Sequence, residues 1–113
     1  MPRLSTLPLT IYIPENPNGK VANRFSIKDF LIPSLRTVVE AKFIRDKNHG
    51  KTIVQEINDD IETYRYHPQC DNLIFFIYDP DALIPDQSQL EKHVTSKRTY
   101  SEKTLTCYCI VKP

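Results

Sequence analysis

Arg36-Thr37-Val38-Val39-Glu40-Ala41-Lys42-Phe43-Ile44 is the stretch whose reading decides the fold. β-Branched and apolar residues dominate it, and neither Gly nor Pro interrupts it, so it reads as one β-strand. Strand alternation puts Val39, Ala41 and Phe43 on one side, apolar and suited to a core. Glu40 and Lys42 take the other side, two residues apart, roughly 7 Å along the strand. Upstream, Phe25-Ser26-Ile27-Lys28-Asp29-Phe30-Leu31-Ile32 reads as a second strand, and Pro33-Ser34-Leu35-Arg36 separates the two. With those four residues as the loop of an antiparallel hairpin, Ile32 faces Thr37, Leu31 faces Val38, Phe30 faces Val39 and Asp29 faces Glu40. Directly opposed residues share a face, with Cβ atoms about 5 Å apart. Asp29, Glu40 and Lys42 therefore converge on one patch. Opposed like charges destabilise a sheet, so the carboxylate pair invites a cation, and oxygen ligands select Mg²⁺ or Mn²⁺.

A chain of 113 residues makes one small domain, 1–113, with a single core. Its 40% hydrophobic and 26% charged content is that of an ordinary soluble protein. A formal net charge of +1 gives no global field for nucleic acid, so any DNA contact has to come from a local patch. Three cysteines, two of them in Cys107-Tyr108-Cys109, do not form a disulfide framework; reduced thiols in an intracellular, cytoplasmic protein are expected. No apolar run approaches the about 20 residues of a membrane span, and Met1-Pro2-Arg3 does not lead into a signal-peptide core.

Residues 1–24 form an atypical N-terminal segment, in which Leu9–Ile13 suits a short strand and Pro14–Gly19 a turn. After the hairpin, Asp46-Lys47-Asn48-His49-Gly50 reads as a polar loop. A helix follows from about Lys51 to Tyr66, with Ile53, Ile57, Ile61 and Tyr64 as its apolar stripe and Gln55, Asp59 and Glu62 on a polar face. His67 is held out of the α region by Pro68 and ends it. Leu73–Tyr78 is a continuous apolar run suited to a strand buried on both faces, and the intervening helix implies a parallel crossover. A short helix is predicted from Ser88, as N-cap with Glu91 at the capping-box position, to about Ser96. Leu105–Val111 makes a last strand. The fold class is α/β: a central mixed sheet flanked by helices.

Asp29 followed by Glu40-Ala41-Lys42 resembles the D…(D/E)-x-K signature of the PD-(D/E)XK nucleases, with Lys28 where the family name has Pro. The resemblance is closest to restriction-endonuclease-like domains of the DpnII/MboI type. It runs on through Asp59-Asp60-Ile61-Glu62-Thr63-Tyr64, His67-Pro68 and the strand ending in Tyr78-Asp79-Pro80, covering about residues 25–95. It implies a restriction-endonuclease-like core and a metal-dependent endonuclease acting on phosphodiester bonds of double-stranded DNA, in restriction or another defence context. Asp29 and Glu40, with the Ala41 carbonyl, would hold Mg²⁺ or Mn²⁺, which polarises the scissile phosphate and lowers the pKa of a bound water. Lys42 would orient that water or stabilise charge developing on the phosphoryl oxygens; it serves as a base only if its pKa is depressed. The resemblance also makes Gln55 a candidate contact to metal-bound water or phosphate, and Asp60 and Tyr64 candidate braces of the helix. Family members usually carry a helix before the first catalytic strand. None is evident in 1–24, so the chain is expected to be a piece of a longer protein or a minimal version of the fold.

Each feature also has a plainer reading. Asp29, Glu40 and Lys42 alternatively form a salt-bridge triad on a solvated face, and Asp79 caps the following turn rather than supporting the metal. Arg45, Lys47 and Lys51 either meet DNA phosphates or line a solvated loop. His49, His67 and His93 lack ligand spacing and read as loop or surface residues. The alternative function is a catalytically inactive nuclease-fold module in a larger protein. Cutting both strands needs two sites, so a homodimer is expected, with the N-terminal segment and the last strand as its exposed surfaces.

Overall fold

The computed structural model describes residues 28–113, and the expectations for residues 1–27 lie outside it. The sequence forms strand β1 (Lys28–Ile32), strand β2 (Thr37–Phe43), helix α1 (Lys47–Tyr64) and strand β3 (Asn72–Tyr78). Helix α2 (Gln87–Val94), strand β4 (Ser96–Thr99) and strand β5 (Thr104–Lys112) complete it. The five strands form one mixed sheet in the order β1-β2-β3-β5-β4. β1 runs antiparallel to β2, and β4 antiparallel to β5; the β2–β3 and β3–β5 pairs are parallel. Steps from β2 to β3 to β5 go in one direction across the sheet. Right-handed crossovers therefore put α1 and α2 over the same face.

The hairpin register is the expected one: Asp29 stands opposite Glu40 and Phe30 opposite Val39. Its loop is a 3-10 turn, Pro33–Leu35, closed by Arg36 at φ 50, ψ 44 in the left-handed region. That conformation costs a non-glycine residue free energy, and Arg36 is held in it by contacts to the start of β3. Its guanidinium donates to Asp71 and to the Pro68 carbonyl, while its own carbonyl accepts from the Asp71 and Asn72 amides.

The faces of the sheet are the reverse of the sequence expectation. Val38, Glu40 and Lys42 of β2, Leu73, Phe75 and Ile77 of β3, and Leu105, Cys107 and Cys109 of β5 are all buried. Onto this face the helices bring Ile53, Ile57, Ile61, Leu90 and Val94. The face carrying Val39, Ala41 and Phe43 is the outer one, where Phe76, Tyr78, Tyr108 and Ile110 are exposed. β3 is thus buried on one side only.

Several boundaries move for identifiable reasons. Residues 47–50 are the first turn of α1 rather than a loop, because the Asp46 carboxylate caps the helix by accepting from the His49 amide. The N-cap of α2 lies two residues earlier than expected, at Asp86 rather than Ser88, through the Gln89 amide. β4 is a short polar strand with no apolar signal, defined by its pairing with β5. β5 is consequently paired on both sides, which withdraws the last strand as an open surface.

Asp79 caps the turn after β3, accepting from the Leu83 and Ile84 amides and from Gln87 Nε2 at 2.8, 3.0 and 2.8 Å. Burial disfavours its charge, but these donors outweigh it and hold its carboxyl below the ordinary aspartate value. The segment so fixed is the floor on which α1 rests. A Cβ added at Gly50 would press into the Leu83 carbonyl group. Gly50→Ala is therefore expected to destabilise the protein by about 1–3 kcal/mol through overpacking against main chain. Urea unfolding measures it, and an unchanged midpoint would contradict this close approach.

Candidate functional site

Pairing across the sheet runs Asp29–Glu40–Phe75–Cys109, so one row passes from carboxylates at the β1 side to apolar groups at its centre. α1 crosses above this row. Its isoleucines at 53, 57 and 61 meet the apolar part. His49, Glu56, Asp60 and Tyr64, offset around the same helix, meet the charged part. Spacings of seven, four and four residues keep these four side chains in one stripe.

Lys42 is the centre of the cluster, only 3% exposed. Its Nζ lies 2.6 Å from Glu56 Oε2, 2.8 Å from Asp60 Oδ2 and 3.3 Å from Glu40 Oε1. Burial works against its charge, but Glu40, Asp60 and Glu56 together raise its pKa above the ordinary lysine value. Lys42 is therefore an ammonium and not a base. This is a buried network, not a triad on a solvated face.

Glu40, Glu56 and Asp60 meet that ammonium, and Asp29, opposite Glu40, adds a fourth carboxylate to the cluster. The excess negative charge falls on the deepest of them. Burial, a hydrogen bond with Asp60 and repulsion from Asp60 and Asp29 overcome the attraction of Lys42 and push Glu40 up to about 9. Glu56, about a third exposed, responds oppositely. Burial resists its ionisation, but the bond and charge of Lys42 hold its carboxyl below the ordinary value. Asp29 is also raised, chiefly by burial and further by Asp60, against the bond it accepts from Tyr64. That bond runs from the Tyr64 hydroxyl to Asp29 Oδ2 at 3.0 Å. Burial and the nearby Asp29 and Glu40 raise the Tyr64 pKa, so the phenol stays a donor.

Asp29 Oδ1 is buried with no hydrogen-bond partner. A buried acceptor left bare beside a protonated glutamate is a local deficit of positive charge. Among the described residues no three His, Cys, Asp or Glu side chains form an all-protein metal cage. A Mg²⁺ site does not need one: it uses one or two carboxylates and leaves other positions to water and phosphate. The donor set of Asp29 and Glu40 fits such an ion.

The structure brings Asp29, Glu40 and Lys42 together and leaves Gln55 out. Gln55 is exposed, and its amide donates to Asp59 on the outer side of α1. Its neighbour Glu56 reaches the site instead, since one residue turns a helix side chain by about 100°. From the sequence, Glu56 has no assigned role and Asp60 only that of bracing the helix; their four-residue spacing to each other and to Tyr64 is the available signal. His49 is likewise buried, not a surface residue, and lies against Glu56.

The DpnII-MboI family model, described as REase_DpnII-MboI, matches residues 11–113. No curated protein matches the chain. No solved structure matches it.

The charge distribution predicts a pH dependence. Glu40 holds a proton when folded up to about pH 9, against an ordinary value of 4.5. Its contribution to stability is complete below the unfolded value and is lost as pH rises through this window. In metal-free buffer, stability is expected to fall between pH 5 and pH 9. Glu40→Gln is neutral without a proton and should exceed the wild type at pH 9 by roughly 1–3 kcal/mol, the scale of relieving one buried unsatisfied group. Parallel denaturation profiles for the two proteins across that range would argue against a proton on Glu40.

Proposed function

The chain belongs to the DpnII-MboI restriction endonuclease family, which matches nearly its whole length, and from that premise we propose that it is a metal-dependent endonuclease cutting double-stranded DNA in a defence setting. The observation that carries this reading is the bare, buried Asp29 Oδ1 opposite Glu40 on the face that also holds Lys42. Asp29 and Glu40, with the Ala41 carbonyl, would hold Mg²⁺ or Mn²⁺. When bound, the ion supplies Lewis acidity and positive charge at the scissile phosphate.

The chain's own residues do the rest. Tyr64 occupies Asp29 Oδ2 and leaves Oδ1 as the oxygen that would meet a cation. Glu40 would have to give up its proton to serve as a ligand, so ion binding would strengthen as pH rises. Lys42, permanently charged, acts electrostatically: it stabilises negative charge developing on the phosphoryl oxygens. Glu56 and Asp60 keep the ammonium in place. Gln55 has no part in this arrangement, its side chain being engaged with Asp59. A twofold dimer would supply the second site needed for the second strand.

Incubation of the purified chain with plasmid DNA tests the reading. Cleavage is expected with Mg²⁺ or Mn²⁺ and none with EDTA. Asp29→Asn and Glu40→Gln should abolish cleavage and weaken Mn²⁺ binding in calorimetry. Lys42→Ala should slow the reaction by two to three orders of magnitude, about the effect of deleting one preorganised electrostatic group. Because Lys42 is buried among carboxylates, its loss should also cost about 3–5 kcal/mol of stability, so rates are compared well below the melting temperature. Wild-type protein that binds no Mn²⁺ and cuts no nucleic acid would refute the proposal.

A further inference from the structure

We infer that His49 is a positioning residue, its imidazole holding the Glu56 carboxylate against the Lys42 ammonium. The inference rests on the endonuclease reading of this site. His49 lies in the first turn of α1 and is 5% exposed. The Arg45 backbone N–H donates to its Nδ1 at 3.1 Å, and Arg45 Nε approaches the same atom at 3.3 Å. Nδ1 therefore carries the lone pair and the ring proton is on Nε2. That N–H donates to Glu56 Oε1 at 3.2 Å, while Glu56 Oε2 accepts from Lys42 Nζ at 2.6 Å. One carboxylate thus bridges imidazole and ammonium.

The chain of bonds begins on main chain just past β2 and returns to a side chain of β2 itself. Both of its ends are fixed by one strand. Its middle needs fixing: Glu56 is long and about a third exposed, so with one partner it is free to turn toward water. The ammonium would then be shared between Asp60 and Glu40, and drawn toward the residue proposed to hold the metal. A second fixed donor on Oε1 prevents this. An imidazole suits the place because one ring accepts from Arg45 and donates to Glu56 across the junction of strand and helix. In a purely structural role His49 would matter only for the Arg45 contact that closes the helix start.

Two substitutions separate these roles. In His49→Asn the amide oxygen can replace Nδ1 toward Arg45 but nothing reaches Glu56. In His49→Gln the amide nitrogen can replace Nε2 toward Glu56. For plasmid cleavage with Mg²⁺, His49→Asn should lower kcat roughly 10- to 100-fold, the range for partners that orient an active-site group, with KM little changed. His49→Gln should recover most of that loss, and in a Glu56→Gln background His49→Asn should add nothing. The second readout needs neither metal nor activity: NMR of the Lys42 Nζ protons at low temperature. They should exchange slowly in the wild type and in His49→Gln and rapidly in His49→Asn. If the wild type fails to cleave but this pattern holds, the positioning role stands and the endonuclease reading falls. If Lys42 exchanges rapidly in the wild type, or His49→Asn matches the wild type in exchange or, where the wild type cleaves, in kcat, the positioning role is overturned.

Discussion

A lysine ammonium buried among carboxylates is the interaction on which the rest of this structure depends. Taking Lys42 out of water costs several kcal/mol, and the cost is recovered only where its donors meet well-placed acceptors. Of these acceptors Glu40 comes from its own strand, opposite Asp29 of the paired strand, while Glu56 and Asp60 come from the crossover helix. Hairpin, sheet and helix must therefore all be in register before the charge is accommodated. The accommodation is also excessive. Three carboxylates meet one ammonium and Asp29 stands beside them; burial first, and then this surplus of negative charge, pushes Glu40 up to about 9, and an oxygen of Asp29 is bare. On the proposed reading, a small hard cation would relieve this condition.

The surplus also explains how one helix covers both an apolar and a charged surface. α1 carries Ile53, Ile57 and Ile61 beside His49, Glu56, Asp60 and Tyr64, two adjacent stripes on one side of the cylinder. The sheet beneath has the same division, with Phe75 and Cys109 continuing the row that begins at Asp29 and Glu40. Apolar burial at the sheet centre secures the helix, and the helix in turn closes the charged end against water. Stability and the proposed chemistry thus share one packing interface. The rigidity of α1 at its start, where Gly50 lies on the Leu83 main chain and Asp46 caps the first turn, fixes where Glu56 arrives.

The pairing of Asp29 with Glu40 was legible in the sequence because two local constraints agreed. A four-residue loop fixes the hairpin register, and a period of two fixes which residues share a side. The crossover helix and its isoleucine stripe were legible from their helical period, and the Asp29, Glu40-Ala41-Lys42 pattern carried the family resemblance. Which side of β2 would be covered was not legible. Alternation says only that Glu40 and Lys42 share a face, and the ordinary preference for burying Val39, Ala41 and Phe43 pointed the wrong way. Burying charges becomes acceptable only when a distant helix brings countercharges, and no window around residue 40 contains that information.

The same distinction separates the remaining details. Taken alone, the chain specified strand and helix periods, the opposed carboxylates and the chemical types available for a hard metal. Tertiary structure decided that Glu56 rather than Gln55 faces Lys42, because a helix side chain's direction depends on how the whole cylinder is rotated against the sheet. It decided that His49 is buried, because Asp46 extends the helix by one turn into residues whose polarity suggested a loop. It decided that Ser96–Thr99 is a strand, because only pairing with β5 defines it. Local periodicity follows from backbone geometry that every window of sequence shares. The identity of a side chain's neighbour depends on segments far apart in sequence, which meet only when the chain has folded.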